Sequence, residues 1–158
     1  MSVVWTGPTS TRSSGRLTIG VIADLIAEAV REIVLVSYAT VPSLPIREAL
    51  QRAQESGVEL ILLLESPEEN AAFTGRKLPF PGLQARRLHW PSSSRAPGAS
   101  MHAKVLVVDR QVALVGSANL TGYGLERNLE CGVLIRGGEL PARIAQHFLS
   151  VPELTERE

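Results

Sequence analysis

The chain has 158 residues, the length of one ordinary domain, and its hydrophobic content of 44% is enough for a core, which excludes a disordered chain. Sixteen basic and 16 acidic side chains cancel, so it is no polycationic coat for nucleic acid, and a single cysteine, Cys131, excludes an internal disulfide and a cysteine-rich zinc site. No apolar run reaches the roughly 18 residues that span a bilayer, and Met1 to Trp5 lacks the basic start of a secretory signal, so a soluble, cytoplasmic α/β domain over residues 1–158 is expected.

Ser2 to Trp5 reads as a short strand, followed by a polar loop from Gly7-Pro8 to Gly15. Leu17, Val21, Leu25, Ile26, Ala29 and Val30 recur at helical spacing. Ile33 to Tyr38 is a β-branched run suited to a buried strand. Pro45 opens a helix over Ile46 to Glu55, Gly57 closes it, and Val58 to Leu64 is a second buried strand. That strand–helix–strand order predicts a parallel layer. A short helix over Ser66 to Arg76, a loop at Pro79, Pro81 and Gly82, and a strand from Ala85 to Trp90 follow. The Ser/Pro/Gly-rich stretch 91–100 reads as a loop that is mobile or ordered only by a ligand or partner. Met101 to Val108, Val112 to Val115 and Leu129 to Ile135 complete the strands; Pro141 to Leu149 is an amphipathic helix before a frayed acidic tail at 150–158.

Charge is unevenly distributed along this order. Residues 1–75 carry a net −4 and residues 111–158 a net −2, whereas residues 76–110 carry a net +6 from Arg76, Lys77, Arg86, Arg87, Arg95, Lys104 and Arg110 against Asp109. A central basic segment of this kind attracts phosphate. Within it Arg86, Arg87 and Arg95 are candidate substrate contacts, and Trp90 is a candidate platform for a base or an acyl chain. Solvated loop charges and ordinary packing are the competing explanations. His89 and His147 read as ordinary histidines, and Cys131 as a small buried hydrophobe.

The informative stretch is His102-Ala-Lys104 through Asp109 to Gly116-Ser117-Ala-Asn119. His102 and Lys104, two apart on a strand, point to one face. With Asp109-Arg110 as a two-residue hairpin turn, Val108 pairs with Gln111 and His102 lies opposite Ser117, with Asn119 one step beyond. The open end of the hairpin then gathers an imidazole, an ammonium, a hydroxyl and a carboxamide, groups suited to anionic oxygens. Asp109 sits at the turn, far from His102, as a structural residue.

The spacing His-x-Lys-x4-Asp-x6-Gly-Ser-x-Asn, filled by His102, Lys104, Asp109, Gly116, Ser117 and Asn119, resembles the motif of the phospholipase D superfamily. Val4-Trp5-Thr6-Gly7-Pro8 with the Gly-Ser-Ala-Asn-Leu-Thr ending is similar, more narrowly, to the phospholipase D-like DrmC subunit of DISARM anti-phage systems. The resemblance implies a mixed sheet flanked by helices with one motif per chain. It implies phosphodiester cleavage without metal or other cofactor through a phosphohistidine on His102, with Lys104, Ser117 and Asn119 holding phosphate oxygens. Glu130 is then implied to accept a hydrogen bond from His102. Because one motif supplies one histidine and the leaving oxygen also needs a proton, the resemblance implies a homodimer with the two-fold axis through the site. Three functions are open: a nuclease on DNA or RNA with a place in anti-phage defence, a phospholipid hydrolase or transphosphatidylase, and a non-catalytic DNA-binding subunit of a defence complex. The loop 91–100 lacks the apolar residues a membrane contact needs, so no membrane is expected.

Overall fold

Alternating apolar runs and helical stripes fold into one mixed sheet with helices on both faces. The computed structural model describes residues 1–8, 16–38, 43–70, 78–121 and 123–156. Its elements are β1 (Ser2–Thr6), β2 (Arg16–Leu17), α1 (Thr18–Ala27), β3 (Glu32–Ser37), α2 (Leu44–Glu55), β4 (Glu59–Leu64), β5 (Arg86–His89), β6 (Val105–Val108), β7 (Val112–Gly116), β8 (Glu130–Arg136), α3 (Leu140–Ser150) and β9 (Thr155–Glu156). Among the described residues the strand order is β2-β1-β8-β7-β6-β3-β4-β5-β9. The expected parallel layer is β3, β4 and β5, and β6, β7 and β8 run antiparallel beside it.

The strands β3 and β4 are almost wholly buried because both sheet faces are covered there. On one face, Val21, Ile22, Leu25 and Ile26 of α1 and Ile46, Ala49, Leu50 and Ala53 of α2 pack on Ile33, Leu35, Leu60, Leu62, Leu106 and Leu114. On the other, Ile144, Ala145 and Phe148 of α3 cover Val34, Val36, Val105, Val107 and Ala113. Gly57, at φ 86, takes the left-handed conformation that ends α2.

Several expectations are corrected. Helix α1 is shorter than its apolar stripe: Leu17 pairs with Trp5 in β2, and Val30 lies beyond the helix end, 75% exposed. The strand expected from Met101 begins at Val105, leaving His102 and Lys104 on an extended lead-in. Of the helix expected over 66–76, Ser66 to Asn70 form a turn closed by the Glu69 and Asn70 N–H groups on the Ser66 carbonyl, and 71–77 lie outside the described residues. The polar loop from 9 to 15 lies outside them too. Part of the tail expected to fray is paired: Thr155 and Glu156 lie beside His89 and Leu88 of β5, and Arg86 bonds Glu156, while 157–158 lie outside the described residues. Nor does loop 91–100 wait for a ligand, since Ser92 to Ser94 form a 3-10 turn and Arg95 is anchored inside the protein.

The hairpin turn differs from expectation by one residue. Val108 pairs with Val112, not Gln111, so Lys104 lies opposite Gly116 and its carbonyl accepts the Gly116 N–H at 3.1 Å. Asp109 and Arg110 adopt φ 52 and 56, and the Gln111 N–H closes the turn on the Val108 carbonyl. Gln111 is the additional residue, held by the Gly137 N–H on its carbonyl. Asp109 anchors the turn from a distance in sequence: its carboxylate accepts the N–H groups of Val30, Arg31 and Glu32 at 2.9, 2.7 and 2.9 Å. Burial works against the charged carboxyl, but those three N–H groups and the Arg31 charge outweigh it and hold the pKa below the usual carboxylate range. Asp109→Asn is therefore expected to lower stability by about 2 kcal/mol in denaturant melts at neutral pH. A depressed folded pKa contributes stability above the unfolded value of about 4 and loses it as pH falls through the folded one, so the gap between wild type and variant should close in acid.

Candidate active site

The site lies at the end of the sheet where β3 finishes, β6 begins and β7 finishes. Lys104 folds back on the lead-in: its ammonium donates to His102 Nδ1 at 2.9 Å and to the His102 carbonyl at 2.6 Å. Tyr38, just past β3, packs its ring on the imidazole with centroids 4.7 Å apart, and the Lys104 ammonium stands 5.5 Å from the same ring. His102 is otherwise exposed.

Gly116 is required by its neighbours. A Cβ there would come within 2.9 Å of the Cys131 carbonyl oxygen, so only glycine lets β7 lie this close to β8 as it ends. Ser117 follows, its N–H on the Cys131 carbonyl at 3.0 Å and its hydroxyl on the Glu130 carboxylate. The other Glu130 oxygen accepts from Asn128 Nδ2 at 3.0 Å. The Asn119 carbonyl accepts the Thr121 N–H at 2.8 Å, and the Leu120 N–H donates to Ser37 Oγ at 3.3 Å, tying the Gly-Ser-x-Asn turn to the end of β3.

Two groups thus face each other across the Lys104–Gly116 step: His102, Lys104 and Tyr38 on one side, Ser117 and Glu130 on the other. Burial lowers the Lys104 pKa below the ordinary lysine value, and the Glu130 carboxylate offsets part of that. The expected Glu130–His102 contact is not what forms, because Ser117 and Asn128 take the Glu130 oxygens. Glu130 instead fixes the serine hydroxyl and steadies the ammonium. Tyr38 and Ser37 went unnoticed in the sequence; the signal was their position at the end of a wholly apolar strand.

The basic candidates upstream do not converge here. Arg86 pairs with Glu156. Arg87 donates to the Pro79, Phe80 and Leu83 carbonyls at 3.0, 3.0 and 3.4 Å. Arg95 is buried on Glu65, and its guanidinium lies 5.0 Å over the Trp90 ring, which itself packs against the α3-side core. Arg76 and Lys77 lie outside the described residues. Among the described residues no three His, Cys, Asp or Glu side chains converge as a metal site, and no helix is long and apolar enough to cross a membrane. Cys131 is exposed rather than buried.

Comparison with known proteins agrees with this geometry. Residues 22–151 match the family described as "Cardiolipin synthase, PLD-like domain". The chain is 29% identical over 149 residues to probable cardiolipin synthase YwiE of Bacillus subtilis, covering 92% of this chain and 28% of that protein. It is 33% identical over 131 residues to the DISARM protein DrmC of Bacillus paralicheniformis, covering 78% of this chain and 51% of that one. It therefore spans about a quarter and about half of these relatives' lengths. The fold superposes on Nuc, a phospholipase D family member from Salmonella typhimurium, with a TM-score of 0.73 at 20% identity over 99% of this chain and 97% of Nuc. With the motif gathered at one end of a mixed sheet and a family match over most of its length, the chain belongs to the phospholipase D superfamily of phosphodiesterases.

Proposed function

We propose that this chain is a nuclease of the superfamily, cutting DNA or RNA through a phosphohistidine at His102, without metal, in a homodimer. The observation that carries this reading is a half-site beside an uncovered apolar surface. One imidazole, one ammonium and one carboxylate-held hydroxyl meet at the open end of the sheet. On the neighbouring strands β1, β7 and β8, Val3, Trp5, Val115 and Val133 are 49, 41, 37 and 41% exposed. The ladder places Val3 beside Val133, Val133 beside Val115 and Trp5 beside the exposed Cys131, so all five share one sheet face. An apolar patch of that kind fits association, and a second copy brings the missing histidine.

The chemistry follows from the contacts. In the free chain the Lys104 ammonium occupies the Nδ1 lone pair, which leaves the ring proton on Nε2. A substrate phosphate draws the ammonium to its oxygens, the ring proton moves to Nδ1, and Nε2 attacks phosphorus. The P–N bond forms as the P–O bond to the leaving alcohol breaks, and the partner's His102, entering as the imidazolium with its own Lys104 turned to the phosphate, protonates that oxygen and becomes neutral. Water then attacks phosphorus, gives its proton to the partner's His102 and breaks the P–N bond, restoring His102. Lys104 and Asn119 hold the phosphate oxygens, and Ser117 joins them by turning its one hydroxyl proton from Glu130 to the phosphate. Asp109 and Gly116 serve the hairpin and stay outside the reaction.

The fold matches almost the whole of Nuc, a phospholipase D family member, and the single histidine of the motif in this domain is what a second copy would complement. Likeness to the DISARM protein DrmC supports a place in anti-phage defence. The relatives named as cardiolipin synthases favour a second reading, a phospholipid substrate. The apolar crevice behind Lys104, bounded by Leu35, Leu106, Leu114 and Leu120, holds about 30 Å³, the room of one water; the open hollow beside His102, lined by Leu63, Trp90, Met101 and Phe148, holds about 270 Å³ and keeps the lipid reading a matter for direct assay.

In EDTA, labelled single-stranded DNA, duplex DNA or RNA should be cleaved, phosphatidylglycerol vesicles should not, and His102→Asn should lose at least about 10⁴-fold in rate. Turnover of the lipid alone selects the second reading, and an active His102→Asn variant refutes the nucleophile. Val133→Asp, at an exposed position, should leave the circular dichroism spectrum intact, convert the dimer to monomer in sedimentation and lower the rate by about 10²-fold or more. A fully active monomer contradicts the shared site.

A further inference from the structure

The loop before the motif holds an ion pair that the catalytic reading does not use. Glu65, one residue past β4, is 1% exposed at its side chain, and Arg95 is 4% exposed. The pair is bidentate, at 2.8 and 2.9 Å. Arg95 Nε also donates to the Trp90 carbonyl at 2.9 Å, and the Ser66 N–H donates to Glu65 Oε1 at 3.2 Å. The remaining contact points toward function: Glu65 Oε2 accepts the N–H of Met101 at 3.1 Å. Met101 is the residue before His102.

Stability alone is a poor reason for this arrangement. Taking two charges out of water costs several kcal/mol per ion, and a well-packed apolar pair of the same volume is often as stable. What an apolar pair cannot do is bond the Met101 peptide. The lead-in from 101 to 104 has no strand ladder to hold it until the Lys104 carbonyl meets the Gly116 N–H. Glu65 therefore provides the fixed point at its start. Its own N–H donates to the Ser37 carbonyl at 3.3 Å, which locks it beside the segment bearing Tyr38. The imidazole is thus held by the Tyr38 ring and by a peptide pinned to Glu65, both at the ends of rigid parallel strands.

We infer that Glu65 and Arg95 are positioning residues: the buried ion pair fixes the Met101 peptide and thereby aims His102 at the phosphate. The inference rests on the reading of His102 as nucleophile. Glu65 supplies the anchor and Arg95 holds Glu65 charged and oriented, which reassigns Arg95 from substrate contact to internal support. Burial raises the Glu65 pKa, but the Arg95 hydrogen bonds and charge with the Met101 and Ser66 N–H groups lower it further, so the anchor stays ionised at neutral pH.

The test compares Arg95→Met, Arg95→Lys and Glu65→Gln with Arg136→Met, which breaks the exposed pair to Glu28. Readouts are kcat and KM on a single-stranded oligonucleotide in EDTA, the titration midpoint of the His102 ring by NMR, and exchange of the Met101 amide. Arg95→Met and Glu65→Gln should lower kcat about 100-fold with KM little changed, since a misplacement near 1 Å costs about that much. They should also move the His102 midpoint and speed Met101 exchange. Arg95→Lys should recover part of each effect, and Arg136→Met should change none. Folded Arg95→Met with wild-type kcat and His102 titration overturns the inference. Should Arg95→Met not fold, the milder Glu65→Gln and the wild-type Met101 amide decide: exchange as fast as at exposed Ser93 overturns it. An active His102→Asn enzyme removes the nucleophile reading, while the NMR readouts still report whether the clamp holds His102.

Discussion

Three backbone N–H groups on one carboxylate set the geometry from which the site is built. Asp109 takes the amides of Val30, Arg31 and Glu32 and so fastens the β6–β7 turn to the entry of β3. Hydrogen bonds to a charged acceptor contribute about 1.5–3 kcal/mol each, enough to impose a left-handed conformation on two non-glycine residues. That conformation and the additional Gln111 determine the register of the hairpin. The register puts Lys104 opposite Gly116, and Gly116 permits the close approach to Cys131 that carries Ser117 to Glu130. A residue at the far end of the hairpin from His102 thus governs where every polar group at the open end stands.

Charge tells a different story in three dimensions than along the chain. The +6 segment reads as an anion-attracting stretch, yet Arg86, Arg87, Arg95 and Arg110 are engaged by Glu156, by carbonyls, by Glu65 and by Glu32. Those guanidiniums stitch loops to the sheet. Among the described cations of this segment, Lys104 is the one that meets the motif's histidine. The uncovered face of β1, β8 and β7 carries four exposed apolar side chains, the surface on which the proposed dimer rests.

Much of this was legible in the sequence for reasons of physics. The apolar runs Ile33–Val36 and Leu60–Leu64 mark β3 and β4, and the motif spacing marks His102, Lys104, Ser117 and Asn119. Long-range hydrogen bonding was not legible. The pull of Val30 to Glu32 on Asp109 acts across 77 to 79 residues and shifts the turn by one. The tail pairs with β5 across about 67 residues, which no local pattern reveals. Loop 91–100 has the composition of a mobile segment, and one buried arginine overrides it. Glu65 left a faint trace: a carboxylate closing an unbroken apolar run, with no alternation toward solvent, must find a buried partner.

The most direct test is to quench a reaction with a short oligonucleotide in EDTA at alkaline pH, where phosphohistidine survives, and to map the adduct by mass spectrometry. A nucleotidyl phosphate on His102, lost on mild acid treatment and absent in His102→Asn, is the predicted result. Cleavage that proceeds with no adduct at His102, or with one on another residue, would contradict the account.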